Sequence, residues 1–171
     1  MLAFGAALPT IRARVNADLA RADHSRETVL AIVVRLLEAT YSRIGNEEYA
    51  RKNGSFGLTT LRNKHVGFSG DSLRLQFVGK RGKSHSIRVT DRRLARVVWG
   101  CRELPGQSLF QYRDDGGDTR AIDSTEVNDH IAHVPCRIDR VGHVNNMYTD
   151  LRLLRARQHD LQARRVAIVG A

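Results

Sequence analysis

The hydrophobic period of this chain changes near residue 58, and the change limits what it can fold into. From Leu8 to about Lys52 the apolar residues recur every three or four positions; from Leu58 to Thr90 they alternate with polar ones. The first spacing puts one buried stripe on a helix, and the second puts one buried face on a strand. A later stretch, Leu94, Val97, Val98 and Cys101, returns to the helical spacing. Helices before and after a run of strands that tight turns connect predict an α+β fold: a helical body carrying a three-stranded antiparallel meander.

The turn and cap residues set the predicted boundaries. A first helix runs from Pro9 to Ala20, with Leu8, Ile11, Val15 and Leu19 on one side. Asp23 or Ser25 caps a second, whose stripe is Val29, Ile32, Val33, Leu36 and Leu37 and which ends near Tyr41 to Gly45. A helical turn over Glu47–Lys52 stops at Asn53-Gly54. Strands follow at 65–68, 72–78 and 85–89, joined by Ser69-Gly70-Asp71 and by Gly79-Lys80-Arg81-Gly82-Lys83. Asp91 caps a helix over Arg92–Arg102, and Leu104-Pro105-Gly106 ends it. Leu109 to Tyr112 is a short extended piece before an acidic turn, Asp114 to Asp118. Asp123-Ser124 then caps a helix through Ile131. The pattern breaks near Ala132, so residues 1–131 read as one unit and 132–171 as an atypical tail with one helix, roughly Thr149–Arg164.

Charge narrows the function classes. The chain of 171 residues carries 28 Lys+Arg against 18 Asp+Glu, a formal net charge of +10. The excess is uneven: +8 in residues 1–90, −2 in 91–131 and +4 in 132–171. A concentrated positive surface suits a polyanion, although an evenly solvated basic surface gives the same totals. No run of about 18 apolar residues could cross a membrane. The apolar start lacks a basic leader, so no signal peptide is expected. Cys101 and Cys136 make neither a disulfide framework nor a metal site, and a reducing, cytoplasmic compartment is expected. There is no Gly-rich dinucleotide motif, P-loop or zinc motif, so no metal and no cofactor is expected.

Several residues have chemistry to offer. Arg43 lies at the end of a helix beside Gly45, where a guanidinium can meet a phosphate that the glycine lets close to the backbone; it could equally satisfy the last helix carbonyls. Lys80, Arg81 and Lys83, with Gly79 and Gly82, make either a cationic finger on a hairpin or a solvated turn. Arg62, Lys64 and His65 precede the first strand, and Arg74 and Arg88 lie on strands, where they could track phosphates. Tyr49 offers a hydroxyl to a phosphate if half-exposed, and packing if not. The acidic loop Asp114–Asp118 lacks the closing glutamate of a calcium loop.

Taken together, Leu8-Pro9-Thr10-Ile11-Arg12, Thr40-Tyr41-Ser42-Arg43-Ile44-Gly45-Asn46-Glu47-Glu48-Tyr49-Ala50, Gly54 to Val66, Phe77-Val78-Gly79-Lys80 and Leu109-Phe110-Gln111-Tyr112 resemble the catalytic domain of the bacterial and poxvirus-like type IB DNA topoisomerases. The likeness covers about residues 3–131, roughly three quarters of the chain. It implies a DNA topoisomerase (an isomerase) that needs no metal and acts on duplex DNA near the nucleoid, as a monomer. Such enzymes cut one strand through a 3′-phosphotyrosyl bond and reseal it. By the matching motifs, Arg43 resembles the first catalytic arginine and Lys80 the general-acid lysine. Gly45 and Tyr49 resemble the backbone-amide and tyrosine contacts to phosphate. Arg62, Lys64, His65, Arg81 and Lys83 are the expected further DNA contacts.

The resemblance departs at both ends. The family begins with a separate amino-terminal domain, whereas Met1 here is expected to lie near the start of the catalytic domain. The Arg-Thr-aromatic block that supplies a second arginine, and the His or Asn and tyrosine nucleophile beyond it, have no recognisable match. Val141-Gly142-His143 followed by Tyr148 is similar to the family's Gly-His…Tyr pattern but too closely spaced, so the nucleophile is left unassigned. Asp139 to Tyr148 instead resembles the Asp-x-x-Gly-His-Val-Asn-Asn signature of hot-dog acyl-CoA thioesterases, and 40 residues cannot build that domain. The expectation is a truncated catalytic core joined to foreign sequence and inactive alone. The alternatives are a non-catalytic DNA-binding module of the same fold, a tyrosine recombinase, which shares the Arg…Lys-hairpin layout and needs a His-x-x-Arg box that is not expected here, and a thioesterase, expected to be negative.

Overall fold

The structure is a computed structural model that describes residues 2–21 and 23–132. The predicted helix and tail candidates beyond residue 132, including Cys136, His143 and Tyr148, lie outside the described residues.

The body is built around α2 (Arg26–Thr40). Its N-cap is Ser25, the second of the two residues the sequence offered; Asp23 instead accepts the hydroxyl of Thr28 at 2.5 Å. Leu30, Ala31 and Val34 are buried along with the expected stripe, so α2 is covered on most sides. It packs against α1 (Leu2–Ala20), α4 (Arg92–Glu103) and α5 (Ser124–Ala132). Helix α1 buries Ile11, Val15 and Leu19. It starts two turns before the predicted start at Pro9, which lies inside the helix and leaves one carbonyl of the preceding turn without its intrahelical donor. Each buried Leu, Ile or Val in this core is worth roughly 1.5–3 kcal/mol.

The meander forms as predicted, with β1 (Val66–Ser69), β2 (Ser72–Val78) and β3 (Ser84–Thr90) antiparallel in that order. Val66 lies opposite Leu75, which lies opposite Ile87. Leu73, Leu75 and Phe77 point into the core, so Arg74, Gln76 and Val78 point out. Helix α4, N-capped by Asp91 at 3.0 Å to two amides, covers the inner face with Leu94, Val97, Val98 and Cys101. Burial pushes the Cys101 thiol up to about 12, which makes it an inert core residue.

Two features were not legible beforehand. The extended piece after Leu109 is half of a hairpin, β4 (Gln111–Arg113) with β5 (Thr119–Ala121). The acidic residues close it: Asp114 accepts the amides of Gly116 and Asp118 and the guanidinium of Arg120. Between α3 (Glu47–Asn53) and β1 the chain makes two 3₁₀ turns, Leu58–Thr60 and Asn63–His65.

Candidate active site

The site begins where α2 ends. Tyr41 adopts a left-handed conformation (φ 55°) and its amide closes the helix on Leu37. Beyond it the extended chain alternates: Ser42 and Ile44 are buried, and Arg43 is exposed. The Arg43 side chain makes no hydrogen bond or ion pair among the described residues, so it is not spent on the helix carbonyls.

This short segment is stapled to residues 57–60. Leu58 donates its amide to the Arg43 carbonyl at 2.8 Å, and Thr59 donates its amide to Ile44 at 2.7 Å and its hydroxyl at 3.1 Å. Gly45 (φ 122°) and Gly57 face each other backbone to backbone; a Cβ on Gly57 would stand 2.5 Å from the Gly45 Cα and N and 2.8 Å from the Arg43 carbonyl oxygen. Asn46 then N-caps α3, accepting the Tyr49 amide at 2.8 Å, and this sets Tyr49, 45% exposed, beside the same opening.

The hairpin reaches the site through one hydrogen bond. Phe56 donates its amide to the Val78 carbonyl at 2.7 Å, tying the end of β2 to the segment that holds Arg43. Gly79 and Lys80 follow at once. The tip closes with Gly79 donating to Lys83 at 2.8 Å and Gly82 to Gly79 at 3.1 Å, and Arg81 adopts φ 63°. His85 stacks on Phe77 at 4.9 Å, and a Cβ on Gly79 would stand 2.6 Å from its Nε2.

Arg43, Gly45, Tyr49 and Lys80 therefore line one open cleft of about 380 Å³, together with Asn46, Phe56 and, from α5, Ser124 and Asn128. Among the described residues two cations and no carboxylate line it. A lining of that sign suits an anion. Sequence reasoning missed Ser124 and Asn128. Their spacing of four puts both on one helix face, but nothing local says what that face meets.

The other expected contacts are placed elsewhere. Arg81 and Lys83 are exposed on the hairpin tip next to Lys80, outside the cleft wall. Arg62 lies 5.9 Å from the Phe56 ring centroid, and the His65 ring meets Phe56 edge-on at 4.5 Å. His65 Nδ1 accepts the Arg62 amide at 3.0 Å; burial, then Lys64 and Arg62, hold the imidazole below its usual pKa. Lys64 is exposed. On the sheet, Arg74 stands opposite Arg88 on the outer face. His85 and Arg88 have the His-x-x-Arg spacing a recombinase box would need, yet they lie on opposite faces of β3. Among the described residues no group of three His, Cys, Asp or Glu could hold a metal, and no helix is long and apolar enough to cross a membrane.

The family model for "Eukaryotic DNA topoisomerase I, catalytic core" matches residues 1–136. The chain belongs to this topoisomerase family. Among its relatives is the DNA topoisomerase 1B of Acanthamoeba polyphaga mimivirus, 30% identical over 108 residues that cover 62% of this chain and 31% of the relative. The DNA topoisomerase I of Monkeypox virus and the DNA topoisomerase 1B of Vaccinia virus (strain Copenhagen) are each 31% identical over 75 residues, 44% of this chain and 24% of theirs. The chain thus spans less than a third of the length of these curated relatives.

Proposed function

We propose that the cleft takes one phosphodiester of duplex DNA, and that this chain supplies part of a type IB strand-transfer centre. The observation that carries the reading is that Arg43 and Lys80, 37 positions apart, share one cleft in which no described residue places a carboxylate. Arg43 binds the non-bridging oxygens through its fork, which suits the extra charge of a pentavalent phosphorus better than the ground state. The Gly45 amide and the Tyr49 hydroxyl add donors. When a tyrosine oxygen bonds to phosphorus and the bond to the 5′-oxygen breaks, Lys80 passes its proton to that oxygen, help typically worth 10²–10⁴-fold. The tyrosyl link keeps the ester's free energy, so the reverse step reseals the strand.

Arg81 and Lys83 on the tip, and Arg62, Lys64 and His65 near β1, extend the contact along the backbone. Such contacts position the duplex and read no bases. The second arginine and the nucleophile have no recognisable match in the 171 residues, so this polypeptide binds duplex DNA but does not relax it. Plasmid relaxation in EDTA, with denaturant trapping of any covalent complex, tests both parts beside a duplex titration. The expected result is salt-sensitive binding that weakens in Arg43→Ala and Lys80→Ala, with no relaxation. Binding indifferent to both substitutions would overturn the site. A trapped 3′-phosphotyrosyl adduct would overturn the expected inactivity, and mapping it to Tyr148 would bring the tail into the mechanism.

A further inference from the structure

We infer that Asn128 is a positioning residue for Arg43: a turn of the arginine side chain across the shared cleft brings a guanidinium N–H to the carboxamide oxygen, a bond the structure leaves unmade, and aims the fork into the cleft without neutralising it. The inference rests on the phosphate reading above and adds a residue to it. The starting observation is that Asn128 Oδ1 is buried and has no hydrogen-bond partner among the described residues, while its residue lines the cleft. A carbonyl cut off from water without a donor is rare in native proteins and asks for a reason.

Side-chain hydrogen bonds fix the position of α5. Asp123 accepts the Glu126 amide at 2.8 Å, and Glu126 reaches back to the Asp123 amide at 3.1 Å, which closes the first turn. The other oxygen of Glu126 accepts from Arg26 at 2.8 Å, at the start of α2. Helix α5 is thus fastened to α2, and Arg43 lies three residues past the end of α2 at Thr40. One scaffold carries both groups. Lys80, by contrast, belongs to a hairpin that reaches the cleft through the Phe56–Val78 bond.

The donor inventory favours the arginine. A guanidinium has five N–H groups; two can serve a phosphate and one an amide oxygen. Arg43 uses none of them within the described residues. An amide is the fitting acceptor here, because a carboxylate at the same place would hold the fork and cancel the charge the phosphate needs.

The test combines anisotropy titration of a short labelled DNA duplex with the Nε–Hε NMR signal of Arg43 in the free protein. The variants are Asn128→Ala, Asn128→Asp, Arg43→Ala, Lys80→Ala and the doubles of Asn128→Ala with each, with thermal melting to certify folding. Asn128→Ala should shift the Arg43 signal and weaken binding by about fivefold, within the range for coupled neighbours. It should add nothing in the Arg43→Ala background. The isosteric Asn128→Asp, which covers the case of a misfolded alanine variant, should keep the arginine restrained yet weaken binding. An unshifted Arg43 signal in Asn128→Ala, or an effect that persists in Arg43→Ala and vanishes in Lys80→Ala, would overturn the inference. A shifted signal together with DNA binding indifferent to Arg43→Ala would support the contact and overturn the phosphate reading instead.

Discussion

Gly57 and Gly45 are in backbone contact: a Cβ on Gly57 would lie 2.5 Å from the Gly45 Cα, with no side chain between them that could yield. The contact lets the 3₁₀ turn at Leu58–Thr60 donate to the carbonyls of Arg43 and Ile44, and so it sets where Arg43 emerges. Gly57→Ala should therefore lower stability by about 1–3 kcal/mol, the usual cost of overpacking. Gly45→Ala should cost a similar amount, since φ is 122° and the Thr59 hydroxyl would be 2.8 Å away. Gly54, also left-handed at φ 59° but facing open space, should cost less on the same substitution. Urea unfolding of the three variants checks the order, and equal losses would refute the close-contact account.

The hairpin makes a second steric prediction. Gly79→Ala pushes on the His85 ring, which is held by its stack on Phe77. The expected outcome is weaker duplex binding through displacement of Lys80, with partial recovery when His85→Ala is added. Recovery measures the push on Lys80 directly; an unchanged affinity in Gly79→Ala would show that the tip adapts.

Salt dependence separates phosphate contacts from other effects. Each phosphate neutralised adds about 0.9 to the slope of log affinity against log salt. Arg43→Ala, Lys80→Ala and the tip pair Arg81→Ala/Lys83→Ala should each flatten the slope, the pair by about twice the single changes. Alanine at Arg35, whose guanidinium pairs with Glu38 at 3.6 Å, should leave it unchanged.

Acid should loosen the fold before it titrates the carboxylates. His65 lies below its usual pKa through burial, then Lys64 and Arg62; His130, through burial and despite Asp18 nearby, lies below it too. A base with a depressed folded pKa contributes stability that is complete above its unfolded pKa, about 6.5, and fades as pH falls toward the folded value. Protonation of His65 also removes the acceptor for the Arg62 amide. The thermal midpoint should be flat above pH 7 and decline from about pH 6.5 downward, with a shallower decline in His65→Asn. A midpoint that rises between pH 7 and 5 would contradict this sign.

Local pattern was enough to determine most elements of this protein. The change of period ahead of β1, the caps Ser25 and Asp91, and the glycine turns at 70 and 79–82 act within a few residues, where side-chain period and cap chemistry decide the backbone; the alternation itself begins at Val66, after two 3₁₀ turns, rather than at Leu58. The motif blocks likewise singled out Arg43, Gly45, Tyr49 and Lys80, each within its own stretch. Tertiary structure alone decided that these stretches meet. The Gly45–Gly57 contact, the Phe56–Val78 hydrogen bond and the seating of α5 on α2 join segments far apart in the chain, and no local periodicity encodes them. The same holds for Asn128 and for the β4–β5 pairing. A side chain's neighbours across a cleft, and a three-residue strand's partner, depend on packing of the whole core rather than on the residues beside them.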